Sequence, residues 1–379
     1  MEILDLLRQA EAKLASDLHL IASSPPLLRI DGKLQILDSS APKLTADDIN
    51  QLFEQITTPQ QRKTYSQDLE LDFGFSMPGG SRLRCNACQQ QGAISLAIRL
   101  LPPKIPTIDE LGLPQICKDL IARPRGLIIV TGPTGSGKTT TLAAMIQHLN
   151  QTDSRYVITI EDPIEYRHPN IKCAVSQREL SVDTYSYASA MKYVLRQDPD
   201  VILIGEMRDL ETAATVLTVA ETGHLILSTG HAPSAAQSIE RIIDLFPPHE
   251  RHMAQARLAS VLVGVLCQTL VPRIKGGRIA AVEIMLANAA VKNLIRDGKS
   301  YLLPNTIRTH GDLGMRTLDD DLASLYVKGI IDWPTVLEHC HDAEEVEKLA
   351  GEVNVRKTTL KKRGRHTLDS PGAPGVGRG

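Results

Sequence analysis

Residues 132–139 read GPTGSGKT, a full match to the pattern G-x-x-x-x-G-K-S/T, and this octet constrains the fold more than any other feature of the chain. A loop of this kind grips phosphate only if a strand delivers the chain into it and a helix leaves it with unpaired N–H groups aimed at the anion. Both flanks are legible: the apolar run LIIV at 127–130 precedes the octet and a helix-like run begins at Thr140. Gly132, Gly135 and Gly137 let backbone approach an anion without Cβ obstruction, Lys138 brings a compact positive charge, and the Thr139 hydroxyl can ligate Mg²⁺. Pro133, Thr134, Ser136 and Thr140 complete the expected nucleotide contacts.

At 379 residues the chain exceeds what one hydrophobic core fills, so two domains are expected. A formal charge of -2 gives no global pull towards nucleic acid or membrane, and no specific nucleic-acid partner is expected. Six cysteines at irregular positions, without a signal peptide, suit reduced thiols in a cytosolic protein. Cys85 and Cys88 form the one C-x-x-C, and a tetrahedral zinc site would want a second pair. The longest apolar run, 261–267, is too short for a membrane span, so membrane contact is expected to be peripheral only.

The chain opens on an amphipathic helix pattern at Ile3, Leu6, Leu7, Ala10 and Leu14, then turns strand-like. Strands are predicted at 16–21, 26–30, 34–37, 69–75, 82–89 and 93–99, with one helical pattern over 46–65. Residues 1–100 thus read as a small α+β domain. Three prolines at 102, 103 and 106 mark a linker, taken as 101–112. Residues 113–350 alternate strand and helix, with buried strands predicted at 126–131, 156–161, 201–205, 225–229 and 278–286, a pattern that argues a parallel sheet with crossovers. Residues 351–379 read as a disordered tail, with basic character in KKRGR at 361–365.

Three constellations carry further chemistry. TIEDPIE at 159–165 places Glu161, Asp162 and Glu165 at the carboxyl end of a predicted strand, where they could hold Mg²⁺ through water or orient an attacking water. DPDVILIGEMRD at 198–209 delivers Glu206 from an apolar strand, suited to polarising water or meeting the metal. TGHLILSTGH at 222–231 brackets a strand with His224 and His231, either of which could sense or relay loss of a γ-phosphate.

The order GPTGSGKT, TIEDPIEY, RQDPDVILIGEMRDLETA, TGHLILST-x-H and RIIDLFP resembles the secretion ATPases of type IV pili and type II secretion, in particular the PilT-like pilus retraction ATPases. ASDLHL at 15–20, RLRCN at 82–86 and PTIDELGLP at 106–114 extend the resemblance over roughly residues 1–345. It implies an α/β fold with a RecA-like P-loop ATPase core behind a smaller PAS-like α+β domain, ATP and Mg²⁺ as ligands, and a homo-hexameric ring. By resemblance, Glu161 to Glu165 form an Asp box, Glu206 is the catalytic Walker-B acid, and His224 and His231 form a His box. Arg84 and Arg99 match positions where the family places phosphate-contacting arginines, a role suited to a planar guanidinium.

AVKNLIR at 290–296 and MRTLD at 315–319 resemble elements of the retraction branch, and the tetracysteine motif of assembly ATPases is missing. The implied protein is a hexameric motor for type IV pilus retraction and twitching motility, cytoplasmic, seated at the inner membrane on a pilus platform protein. One segment departs: relatives usually read TLHTNSA where this chain has TGHAPSA at 229–235. Lys292 and Gln91 also stand where relatives carry arginine. A nucleotide-gated regulatory paralogue with weak turnover, or another secretion or pilus assembly ATPase, is the alternative.

Overall fold

The computed structural model describes residues 1–30, 32–38, 41–78, 82–101 and 104–351. Pro102 and Pro103 of the expected linker, and the expected tail from residue 352 with its basic run, lie outside the described residues. By packing, the described residues divide into one unit within 1–107 and 143–205 and another within 108–142 and 206–351.

Six strands build an antiparallel sheet: β1 (Asp17–Leu20), β2 (Leu27–Ile30), β3 (Lys33–Ile36), β4 (Glu70–Ser76), β5 (Arg82–Gln90) and β6 (Ala93–Leu100), in the order β3-β2-β1-β6-β5-β4. Along β5 the side chains alternate, Leu83, Cys85 and Ala87 buried and Arg82, Arg84 and Asn86 half-buried, as a one-sided sheet requires. The buried face packs on helices Ile3–Ala12 and Ala46–Ile56 through Leu7, Leu18, Ile49, Leu52, Phe53 and Ile98. Cys85 and Cys88, three apart on one strand, point to opposite faces, which a shared metal would not allow.

Two helical expectations in this region need correction. The first helix ends at Ala12, and Leu14, with φ 54°, is 87% exposed rather than part of the apolar stripe. The single pattern over 46–65 is two helices, Ala46–Ile56 and Pro59–Asp68. Pro59 has no N–H to continue the ladder, and Thr58 starts a new helix with a capping box to Gln61.

Seven strands form the larger sheet: β7 (Gly126–Thr131), β8 (Tyr156–Glu161), β9 (Ala174–Glu179), β10 (Val201–Glu206), β11 (Leu225–Thr229), β12 (Leu262–Pro272) and β13 (Arg278–Leu286), in the order β13-β12-β7-β11-β10-β8-β9. All five predicted strands are present, but β9 and β12 were not expected. β9, AVSQRE, is an edge strand without an apolar run, and β12 follows the helix Arg251–Val261 with no turn signal between them. The sheet is also not wholly parallel. The connection from Pro272 to Arg278, with Gly276 and Gly277 at φ 85° and 73°, is too short for a crossover, so β13 returns antiparallel to β12.

Candidate active site

Parallel strands end together, so the chemistry collects along one edge of the sheet. β7 runs fully buried into the phosphate loop, and the helix Lys138–Thr152 leaves it. Gly132, Gly135 and Gly137 have φ of 138°, 78° and 87°, conformations that side chains rarely take. A Cβ on Gly132 would run into the Gln268 carbonyl oxygen, whereas the space at Gly135 is open. Pro133, Thr134 and Gly135 form the exposed lip of the loop, and Thr139 and Thr140 are half-buried in the first turn of the helix. Lys138 Nζ donates to the carbonyls of Gly132 (2.8 Å) and Pro133 (3.0 Å), and burial lowers its pKa, against the pull of Glu206. Ser136 Oγ is buried without a protein partner beside this cradle. Positive φ at three glycines, an inward-turned lysine and an orphaned hydroxyl together fit a phosphate chain.

Glu206 ends β10, and its side chain is 14% exposed. One carboxylate oxygen pairs with Arg208 and the other lies 3.2 Å from His231 Nε2. His231 follows β11, and its segment is tied to β7: Gly230 N–H donates to the Val130 carbonyl (3.0 Å) and Thr131 Oγ1 donates to the Ala232 carbonyl (2.9 Å). At the glycine of the departing TGHAPSA segment a Cβ would stand 3.0 Å from Thr131 Oγ1, a tight contact to which that side chain would have to yield. A cavity of about 230 Å³ opens beside this carboxylate, lined by Ile129, Glu206, Gly230, His231, Arg241 and Ile242 among others.

His224 is not brought to this edge. It precedes β11, its Nδ1 within reach of Thr222 Oγ1 (3.0 Å) and the Val219 carbonyl (3.2 Å), and the strand separates it from His231 by on the order of 20 Å.

Glu161 ends β8, which pairs in parallel with β10. Its carboxylate accepts from Thr159 Oγ1 (2.6 Å) and Gln177 Nε2 (3.0 Å). Burial nevertheless pushes its pKa up to about 7, with Glu165 and Glu179 adding repulsion. Asp162 is exposed and Glu165 half-buried in the turn that follows. Among the described residues no group of three or more His, Cys, Asp and Glu is arranged to hold a metal. A phosphate-borne Mg²⁺ does not require such a cage, since one or two protein oxygens and water complete its shell.

Arg84 and Arg99 stand directly opposite each other on β5 and β6. Arg99 Nε lies 3.0 Å from Asp17 Oδ1, and Arg29 lies 3.9 Å from the same carboxylate, so one row across the sheet runs Arg84, Arg99, Asp17, Arg29, with the aspartate between two of the arginines. Sequence reading missed Arg82, Glu179, Arg208 and Gln268. Only Gln268 left a signal, a polar side chain inside the apolar strand LVGVLCQTLV; it is buried and donates to the Ser136 carbonyl at 2.6 Å.

Comparison with known proteins bears on this arrangement. Residues 5–296 match the family described as Type II/IV secretion system protein. The chain is 46% identical over 331 residues to the type IV pilus retractation ATPase PilT of Pseudomonas aeruginosa, across 87% of this chain and 96% of that protein. It is 41% identical over 330 residues to a twitching motility protein of Neisseria gonorrhoeae, across 87% and 88%. A crystal structure of the pilus retraction motor PilT with bound ADP superposes with a TM-score of 0.84 at 41% identity, covering 92% of this chain and 99% of that one. With the phosphate loop, its acidic neighbours and the strand order all falling inside the matched span, the chain belongs to the type II/IV secretion system protein family.

Proposed function

We propose that this protein is an ATP-hydrolysing motor for type IV pilus retraction. The observation that carries the reading is the pairing, on one sheet edge, of a glycine-cradled Lys138 with a Glu206 carboxylate held by Arg208 and His231. The loop N–H groups and Lys138 bind the β- and γ-phosphates; for that, Lys138 exchanges the Gly132 and Pro133 carbonyls for phosphate oxygens. Thr139, Glu206 and, through water, Asp162 are the groups that would hold Mg²⁺, which when bound would neutralise charge on the phosphates. Glu206 orients the attacking water and takes its proton, with His231 fixing the carboxylate. Glu161 and Glu165 are proposed to order water nearby, and Arg84 and Arg99 to offer guanidinium charge to the transferring phosphoryl. The family resemblance supports a homo-hexamer acting in the cytoplasm on an inner-membrane platform protein. No described helix is long and apolar enough to cross a membrane.

Steady-state ATP turnover beside a Glu206→Gln variant, with particle mass in the same buffer, tests this. Turnover that vanishes in the variant, from a particle near six subunits, is the expected result; equal turnover in both removes Glu206 from the mechanism. The GHAP segment at 230–233, which carries no polar side chain after His231, favours a second reading as a nucleotide-gated regulatory subunit. Tight ATP binding without turnover in an intact ring would select it.

A further inference from the structure

We propose that Arg82 and Glu179 form a positioning clasp that fixes the acidic turn at residues 162–165. The inference rests on the ATPase reading for its catalytic consequence, but the clasp itself is a geometric claim. Arg82 leaves the end of β5 with its side chain 12% exposed and forms an ion pair with Glu179, 8% exposed, at the end of edge strand β9. Both polar groups of one backbone residue close on that pair. Arg82 Nε donates to the Ile164 carbonyl (3.1 Å), and the Ile164 N–H donates to Glu179 Oε2 (3.2 Å). Arg82 Nη1 also donates to Ser76 Oγ (3.1 Å), which ties the guanidinium back to β4.

A second observation points the same way. Gly74 lies inside β4, where glycine ordinarily weakens a strand, and a Cβ there would collide with the Arg82 guanidinium. The strand thus carries a gap shaped for this side chain. Ile164 is two residues from Asp162 and adjacent to Glu165, so whatever fixes its N–H and carbonyl holds the backbone that carries both carboxylates. Only a planar guanidinium supplies three donors in one plane; an ammonium cannot reach Ser76, Ile164 and Glu179 together. Arg82 is therefore a positioning residue, distinct from the phosphate-facing roles proposed for Arg84 and Arg99.

The test uses the full chain with Arg82→Lys and, separately, Glu179→Ala, which removes the acceptor of the Ile164 N–H. Three readouts are taken: amide hydrogen exchange of peptides spanning 162–166, affinity for a fluorescent ADP, and ATP turnover. The clasp predicts exchange at Ile164 faster by about tenfold or more, kcat lower by roughly tenfold, and ADP affinity within about twofold of the parent, since an ångström-scale misplacement affects the chemical step more than ground-state binding. Unchanged exchange in both variants would overturn the clasp. Parent-like kcat in a variant whose exchange has accelerated would overturn its catalytic consequence. If Arg82→Lys does not fold, the Glu179→Ala exchange result decides alone. A parent chain that binds ADP yet turns over no ATP would instead defeat the motor reading, leaving exchange to decide the clasp.

Discussion

Gly205 immediately precedes Glu206, and its hydrogen faces the Tyr187 ring. A Cβ built there stands 2.6 Å from the Tyr187 hydroxyl oxygen, 3.3 Å from Cζ and 3.5 Å from Cε1. The first contact is shorter than packed atoms tolerate, while the other two are tight to ordinary. Gly205→Ala must therefore displace either the phenol, on the first turn of the helix Tyr187–Val194, or the end of β10. Overpacking of this kind costs about 1–3 kcal/mol. A shift of the strand end by even 1 Å carries Glu206 away from the position in which it is proposed to orient water, at a cost in kcat of on the order of 100-fold. Removing the oxygen relieves the worst contact, so adding Tyr187→Phe should recover most of the stability and most of the turnover. The assay is a double-mutant cycle in urea melts and steady-state ATP turnover, with Tyr187→Phe alone as the control. A coupling energy of about 1 kcal/mol or more is expected. Parent-like turnover and stability in Gly205→Ala, or a loss that Tyr187→Phe fails to relieve, would refute the steric account.

Lys138→Ala removes a charge-assisted contact worth about 1.5–3 kcal/mol, so ADP affinity in a fluorescence titration should fall about 10- to 100-fold. Gly132→Ala must push aside the backbone of β12 and should abolish ADP binding, whereas Gly135→Ala, with open space and only the positive φ to oppose it, should cost roughly 1–2 kcal/mol; thermal melts with and without ADP separate the two. Glu161 holds its proton in the fold up to about pH 7 but releases it near 4.5 when unfolded, so stability should fall as pH rises between those values and level off above. At about 1.4 kcal/mol per pH unit the loss is roughly 3 kcal/mol, and Glu161→Gln should lack that slope in urea melts from pH 4.5 to 8.

The octet at 132–139 and the apolar strands around it were legible because their signals are local: a glycine pattern, a charge, and runs of LIIV and VILI whose burial follows from composition alone. Glu206 and His231 could be read for the same reason, each following an apolar strand that delivers it to the edge. What the sequence could not give was pairing between distant residues. Arg82 and Glu179 are 97 positions apart, and nothing in RLRCN ranks the first arginine above the second until β5, β9 and the 162–165 turn are placed together. Likewise His224 and His231 look equivalent in TGHLILSTGH, and only the direction of β11 sends one to the active edge and the other to the far end. The phosphate loop was thus fixed by local chain chemistry, whereas the positions of its acidic and basic neighbours followed from strand order and register, which arise from long-range packing.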